Sequence, residues 1–350
     1  MPHPSLREAI GLRLPILQGP MTGSDTPALA AAVSAAGGLG NLGCGMRSPE
    51  AMRQAAAAVR ERTDRPFGMN LFVLETPAPD AATVQAAQQR LAPLYAEFGL
   101  QPPTPARWCE DFAAQFEALL EARPAVASFT FGILAAAQVE RLHAAGCHVI
   151  GTATTVAEAV AWADVGADAV VASGMESGGH RGTFLGGFEA GMVGTMALVP
   201  ACVDAVRIPV IAAGGIMDGR GIAAALALGA QAVQMGTAFL ACEESAIGPA
   251  YRAALARATA TDTRTTRIFS GRPARGIVNR MMERLAEYEA EVPPYPVQNA
   301  LTGALRRAAA EAGNADYLSL WAGQGVAAAR PMQAAALVQV LEREWRSVSN

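Results

Sequence analysis

The stretch Ala169-Val-Val-Ala-Ser-Gly-Met-Glu-Ser-Gly-Gly-His-Arg-Gly-Thr183 decides how the chain is read. Val170, Val171 and Ala172 form an apolar run of strand type without polar alternation, as a strand buried on both faces requires. The glycines that follow, Gly174, Gly178, Gly179 and Gly182, give a backbone able to pass close to a flat ligand or an anion. His180 lies in this flexible turn and is one of four histidines in the chain. A side chain that titrates near neutrality, at the end of a buried strand, is a candidate for moving a proton. The plainer reading, a histidine that only caps its own loop, is weakened by the glycines around it.

Similar apolar runs recur on both sides, alternating with alanine-rich segments of helical period. The sequence predicts eight strands, at Pro15–Pro20, Leu39–Leu42, Phe67–Phe72, Ala125–Phe131, His148–Thr152, Ala169–Ala172, Pro209–Ala213 and Ala232–Leu240. Between and after them it predicts helices around Thr26–Ala36, Pro49–Arg62, Leu134–Ala145, Val156–Val165, Met196–Val206, Arg220–Leu228 and Ala246–Ala258. Parallel strands need such crossovers, and eight of them make a (β/α)8 TIM barrel, with a doubly wound sheet as the rival. Residues 1–74 and 124–260 are the expected barrel domain. Residues 75–123, rich in proline around two helical stretches, read as an insertion after the third strand, over the barrel mouth. Residues 261–350 read as a mostly helical C-terminal extension, opening with the turn-rich Phe269-Ser-Gly-Arg-Pro-Ala-Arg-Gly276.

Barrel enzymes build their sites from the loops after the strands, and these loops are small here. Gly214 and Gly215 follow the seventh strand, and Gln234-Met-Gly-Thr237 lies in the eighth. Glycine amides and one hydroxyl at those two strand ends, beside a helix start, are expected to hold a phosphate. A single phosphate, small loops and a histidine suggest a phosphorylated planar cofactor, and flavin mononucleotide (FMN) suits best. Asn70 and Gln234 would offer amide donors and acceptors to its polar edge, and Met21 apolar cover.

Composition narrows the choice further. With hydrophobic residues at 51% and charged residues at 17%, disorder over most of the chain is excluded. A net charge of −4 gives no footprint for nucleic acid or an anionic membrane. All 27 basic residues are arginine, so lysine Schiff-base chemistry is excluded and any anion must be held by backbone amides, hydroxyls or arginine. The five cysteines are odd in number and widely spaced, which suggests neither a disulfide framework nor a metal site. With no signal-like segment and no long apolar run, a cytoplasmic protein, monomer or homodimer, is expected.

Taken together, these stretches resemble the nitronate monooxygenases, formerly 2-nitropropane dioxygenases, which are FMN-dependent barrel enzymes. The marks are Pro15-Ile-Leu-Gln-Gly-Pro-Met21, Thr26–Gly40, Phe67-Gly-Met-Asn-Leu-Phe72, Glu176-Ser-Gly-Gly-His-Arg-Gly-Thr-Phe184, Pro209-Val-Ile-Ala-Ala-Gly-Gly-Ile216, Gln234–Thr237 and Phe269–Gly276. The resemblance implies FMN contacts at Asn70, Gly178, Gly215, Gln234, Met235, Gly236 and Thr237, and an active-site histidine at His180. Where the family commonly has glutamine, this chain has Ser173, a shorter side chain that could meet the flavin through water or leave room for a different substrate. The implied activity is oxidation of alkyl nitronates by O2 to a carbonyl compound and nitrite, with propionate 3-nitronate a typical substrate. His180 as imidazolium would hold the nitro oxygens; as neutral imidazole it would take the α-proton of a nitroalkane. Arg181 is a second candidate for contact with the anion, though the first expectation is that it faces solvent or pairs with a carboxylate. Three alternatives stand beside this reading: an FMN-dependent enoyl-acyl-carrier-protein reductase using NAD(P)H, a non-catalytic flavin-binding barrel, and a metal lyase with Glu176 and His180 as ligands.

Overall fold

The structure, a computed structural model, describes residues 5–348. Eight parallel strands form one sheet: β1 (Ile16–Gln18), β2 (Gly40–Gly43), β3 (Phe67–Phe72), β4 (Val126–Thr130), β5 (His148–Ala153), β6 (Ala169–Ser173), β8 (Val210–Ala213) and β9 (Ala232–Met235). The sheet runs β1-β9-β8-β6-β5-β4-β3-β2, and a parallel bridge from Leu17 to Leu39 brings its two edges together, so the sheet closes as a (β/α)8 TIM barrel. Three further strands, β7 (Gly179–His180), β10 (Thr263–Thr266) and β11 (Ala274–Ile277), form a separate antiparallel sheet.

The continuous apolar run that opened the sequence reading is explained by burial on both faces of β6. Ala169 and Val171 point into the barrel with Val126, Ile150 and Ile211. Val170 and Ala172 point outward under the helices with Leu198, Val199 and Val233. Leu6, Ile10 and Leu12 join the inner cluster, so the short helix Leu6–Ile10 stops one end of the barrel. The opposite, carboxyl end is where a ligand can enter.

Capping residues set several helix starts. Thr26 and Ser48 each accept a hydrogen bond from a first-turn amide, with Pro27 and Pro49 at the first helical position. Within residues 75–123, helix Ala81–Ala96 packs against helix Val297–Glu311, with Leu91, Leu94, Leu301 and Leu305 in one apolar cluster. Helix Phe112–Ala122 instead lies on β3 and helix Pro49–Arg60. The eighth place in the outer ring is not taken by the helix that follows β9. Helix Pro249–Arg257 joins a cluster with Leu320, Ala322 and Val326. Helix Ala334–Val348 fills the gap between helices Gly219–Ala227 and Pro27–Ala35, burying Leu337, Val338 and Leu341. The strand predicted over Ala232–Leu240 ends early: beyond Met235 the chain turns at Gly236, and Thr237–Leu240 is helical. Among the described residues no helix is long and apolar enough to cross a membrane.

Asp25, a residue the sequence reading passed over, ties the first two strand-end loops together. Its Oδ2 accepts the amides of Met21 and Gly43, each at 2.7 Å, and its Oδ1 meets Arg47 at 3.1 Å. Burial raises its pKa to about 6 against the pull of those partners. The native state therefore holds this proton more tightly than the unfolded chain does. The corresponding part of the stability is present at low pH and falls as pH rises from about 4 to about 6. Asp25→Ala, which strands two buried amides, should lower the unfolding free energy by about 2–4 kcal/mol in urea titrations at neutral pH.

Candidate active site

A cavity of about 680 Å³ opens at the carboxyl end of the barrel, a size usual for small-molecule sites. Met21, Asn70, Ser173, Gly178, Gly214, Gly215, Gln234, Met235, Gly236 and Thr237 all line it together with His180, whereas Gly174, Glu176, Arg181 and Gly182 do not.

The ends of β8 and β9 form one wall. Gly214 and Gly215 have φ of 121° and 70°, backbone conformations that favour glycine. A side chain at Gly214 would also meet Thr195 Oγ1 at 2.6 Å. At Gly236 a Cβ would meet nothing within 4 Å, because that side of the backbone is open. In helix Thr237–Leu240 the amides of Phe239 and Leu240 return to the Gly236 carbonyl, which leaves those of Thr237 and Ala238 without a helical acceptor. Thr237 Oγ1 accepts the Gly323 amide at 3.0 Å, keeping its own hydrogen to donate.

The inner wall carries the amides. Asn70 is buried on β3, and its Nδ2 donates to Ser128 Oγ at 3.0 Å, leaving Oδ1 for the cavity. Gln234, on β9, lines the cavity as a half-buried amide. Ser173 is held by Ser177 Oγ at 3.1 Å and by Arg181 at 3.4 Å. Gly178 serves packing as well as the cavity: a Cβ there would lie 2.5 Å from the Gly323 nitrogen.

His180 is not in a flexible turn. Gly179 and His180 form β7, paired antiparallel with Arg275 and Ala274 of β11. The turn-rich Phe269–Gly276 segment thus supplies the strand that fixes the histidine. Phe131, Tyr295 and Trp321 surround the imidazole with ring centroids 5.5, 5.5 and 5.3 Å away. Its Nε2 lies 2.8 Å from Ser270 Oγ. Burial, reinforced by the charges of Arg272 and Arg306, pushes the His180 pKa down to about 3. With no anion beside it the ring is neutral at physiological pH, which favours the base reading over the imidazolium one.

Arg181 corrects a second expectation, for it neither faces solvent nor pairs with a carboxylate. It is 1% exposed and donates to the carbonyls of Gly174, Ser173 and Gly191 at 2.6, 2.7 and 2.9 Å. Those bonds hold the glycine-rich loop to the end of β6. Glu176 is equally structural, its carboxylate accepting the amide and hydroxyl of Thr195. No group of three or more metal-ligating side chains occurs among the described residues, so the lyase alternative has no ligand set.

Sequence reasoning missed Tyr295, Phe131, Asn299 and Arg306, which also line the cavity. Tyr295 in Pro293-Pro294-Tyr295-Pro296 carried a usable signal, an aromatic residue fixed between prolines. Arg306 carried none, because arginine is this chain's ordinary surface residue.

Fold and cavity place the protein among the (β/α)8 barrel oxidoreductases. More narrowly, the chain belongs to the nitronate monooxygenase family, whose family model matches residues 3–344. A nitronate monooxygenase from Pseudomonas aeruginosa is 47% identical over 96% of this chain and 97% of its own. The crystal structure of a nitroalkane oxidase from Streptomyces ansochromogenes matches with a TM-score of 0.90 and 41% identity, covering 98% of each chain. FabK from Thermotoga maritima is more distant, with a TM-score of 0.77 and 32% identity over 98% of this chain and 96% of that one, so the reductase alternative is not favoured. Family membership points to a flavin cofactor. The cavity suits one: open glycine backbone and free helix-start amides can meet a phosphate without lysine, and the amides of Asn70 and Gln234 can meet a polar ring edge.

Proposed function

We propose that the protein binds FMN and oxidises alkyl nitronates, propionate 3-nitronate among them, with O2 to a carbonyl compound and nitrite. The observation that carries this reading is a histidine held in an aromatic enclosure and lining the same cavity as the glycine-rich ends of β8 and β9. Gly215, Gly236 and Thr237 would hold the phosphate; Asn70 and Gln234 would hold the ring's polar edge, with Met21 and Met235 beside it. A flavin held there would supply the route for electrons from the substrate to O2. The protein's own part is to bind the substrate anion, to exclude water with Phe131, Tyr295 and Trp321, and to move a proton.

His180 performs the proton transfer as a neutral base, accepting the α-proton when substrate arrives as a nitroalkane. Ser270 selects the nitrogen. Its hydroxyl has one hydrogen and two acceptors in reach, His180 Nε2 at 2.8 Å and the Arg272 carbonyl at 3.2 Å. Donation to the carbonyl satisfies both Arg272 C=O and an Nε2–H that Ser270 then accepts, and leaves the Nδ1 lone pair as the base. The opposite arrangement leaves the carbonyl without that bond. Ser270→Ala should lower kcat for a nitroalkane roughly tenfold, the worth of one ordinary hydrogen bond, while flavin content stays that of the wild type.

The test is to purify the protein, measure its flavin absorption, and add propionate 3-nitronate first without and then with O2. Bleaching of the flavin absorption without O2, then nitrite release with it, supports the proposal. A flavin that nitronate leaves unchanged supports the non-catalytic alternative instead.

A further inference from the structure

Arg306 stands apart from the other cavity residues. It lies on helix Val297–Glu311 and lines the same cavity as His180 and Tyr295. Surface arginines such as Arg141 and Arg220 face carboxylates. The partners of Arg306 are all neutral. Its Nη2 donates to the Asn299 carbonyl at 2.9 Å and to Asn299 Oδ1 at 2.7 Å, and its Nη1 has a single long contact, 3.4 Å, to Ser319 Oγ. Its Nε is buried with no partner at all. Arg181 is more deeply buried and shares the unpartnered Nε, but both its terminal nitrogens are spent on backbone carbonyls at 2.6–2.9 Å, whereas Nη1 of Arg306 is not.

Arg306 is half-buried on the cavity wall, and a partly desolvated charge without a counter-ion is costly unless something else supplies the opposite charge. Burial lowers the Arg306 pKa only to about 10, so it remains a cation at neutral pH. Glu311, the other charged residue of the helix to line the cavity, is exposed and makes no hydrogen bond to it. Asn299 anchors one side of the guanidinium and leaves Nη1 for a ligand.

We propose that Arg306 receives a carboxylate carried at the far end of the substrate, making the protein selective for short nitronates that bear a second negative charge. The inference rests on the nitronate reading above and deepens it: the nitro-bearing carbon lies toward His180, the carboxylate toward Arg306. Arginine suits this role because its planar fork matches a carboxylate, whereas a neutral alkyl tail would leave the guanidinium still unpaired.

The experiment compares propionate 3-nitronate with butyl 1-nitronate on the flavin-loaded wild type and on Arg306→Met and Arg306→Lys. It adds equilibrium titration of each with butyrate, a carboxylate that does not react. Arg306→Met should lower kcat/KM for propionate 3-nitronate by roughly 10–100-fold and for butyl 1-nitronate by less than about threefold, the range of one hydrogen bond to a charged group. Arg306→Lys should recover part of the loss, and butyrate affinity should follow the same order. Equal losses on both substrates would overturn the proposal. So would loss of flavin from Arg306→Met, which would mean that the charge serves the cofactor. If the wild type turns over neither nitronate, the nitronate reading fails, and the butyrate titration alone decides whether Arg306 is a carboxylate site.

Discussion

His180→Ala is expected to keep its flavin and to lose roughly 10²–10⁴-fold in turnover of a nitroalkane, the usual worth of one positioned acid–base group. Turnover of the matching nitronate, which carries no α-proton to remove, should fall less than about tenfold. That asymmetry follows from the proposed role, for only the nitroalkane has an α-proton to give, and burial keeps the imidazole unprotonated and able to accept it. The same shift fixes the pH dependence. A free histidine would protonate as pH falls through about 6.5, whereas His180 in the folded protein does so only near 3. The kcat/KM of the wild type for a nitroalkane should therefore show no loss of an essential base between pH 8 and pH 5.5. Parallel measurement of nitrite release from both substrate forms checks the point. An equal loss on nitroalkane and nitronate would move the proton transfer elsewhere.

Gly236→Val is expected to give a folded protein that purifies without flavin. Most glycines of the barrel cannot be tested this way, since a Cβ at Gly40 or Gly151 would drive into backbone or into the Trp162 ring. Gly236 differs. Its φ of −97° is open to any residue, and an added Cβ meets nothing within 4 Å. The new side chain would occupy the space where the helix-start amide of Thr237 should meet a phosphate, at little cost to the fold. Thermal unfolding within a few degrees of the wild type, together with lost flavin absorption, is the expected pair of results. Retained flavin would place the phosphate away from the β8 and β9 ends.

The barrel was legible because its signal is local and repeated. A strand such as Val170–Ala172, buried by the barrel interior on one side and helices on the other, has to be apolar throughout, and eight such runs cannot be hidden. The glycine at position 214 was legible for a related reason, since its left-handed backbone and the nearby Thr195 hydroxyl leave no room for a side chain, whereas Gly236 sits in open space and its role rests on the cavity alone. What the sequence concealed depends on contacts far apart in the chain. Nothing near position 180 shows that Gly179 and His180 pair with Ala274 and Arg275, nor that Ser270 reaches the imidazole. Arg181 reads as a surface residue because arginine is common here, and its burial depends on three carbonyls that only the folded loop brings together. The helix expected around Ala246–Ala258 is present at Pro249–Arg257, but nothing in the sequence shows that Ala334–Val348 fills the eighth place in the ring, because any amphipathic segment can fill that gap.

The two-residue strand bearing His180 has a consequence for how the protein matures in the cell. Its partner strand lies about ninety-five residues further along, and Trp321, which closes the histidine's enclosure, further still. During synthesis the barrel strands leave the ribosome long before these pieces. A nascent chain halted after β9 would have all eight staves and an open mouth, yet its histidine would be unclamped and wet. The surroundings of His180 are therefore complete only once the segment carrying Trp321 has been made and has folded back onto the barrel.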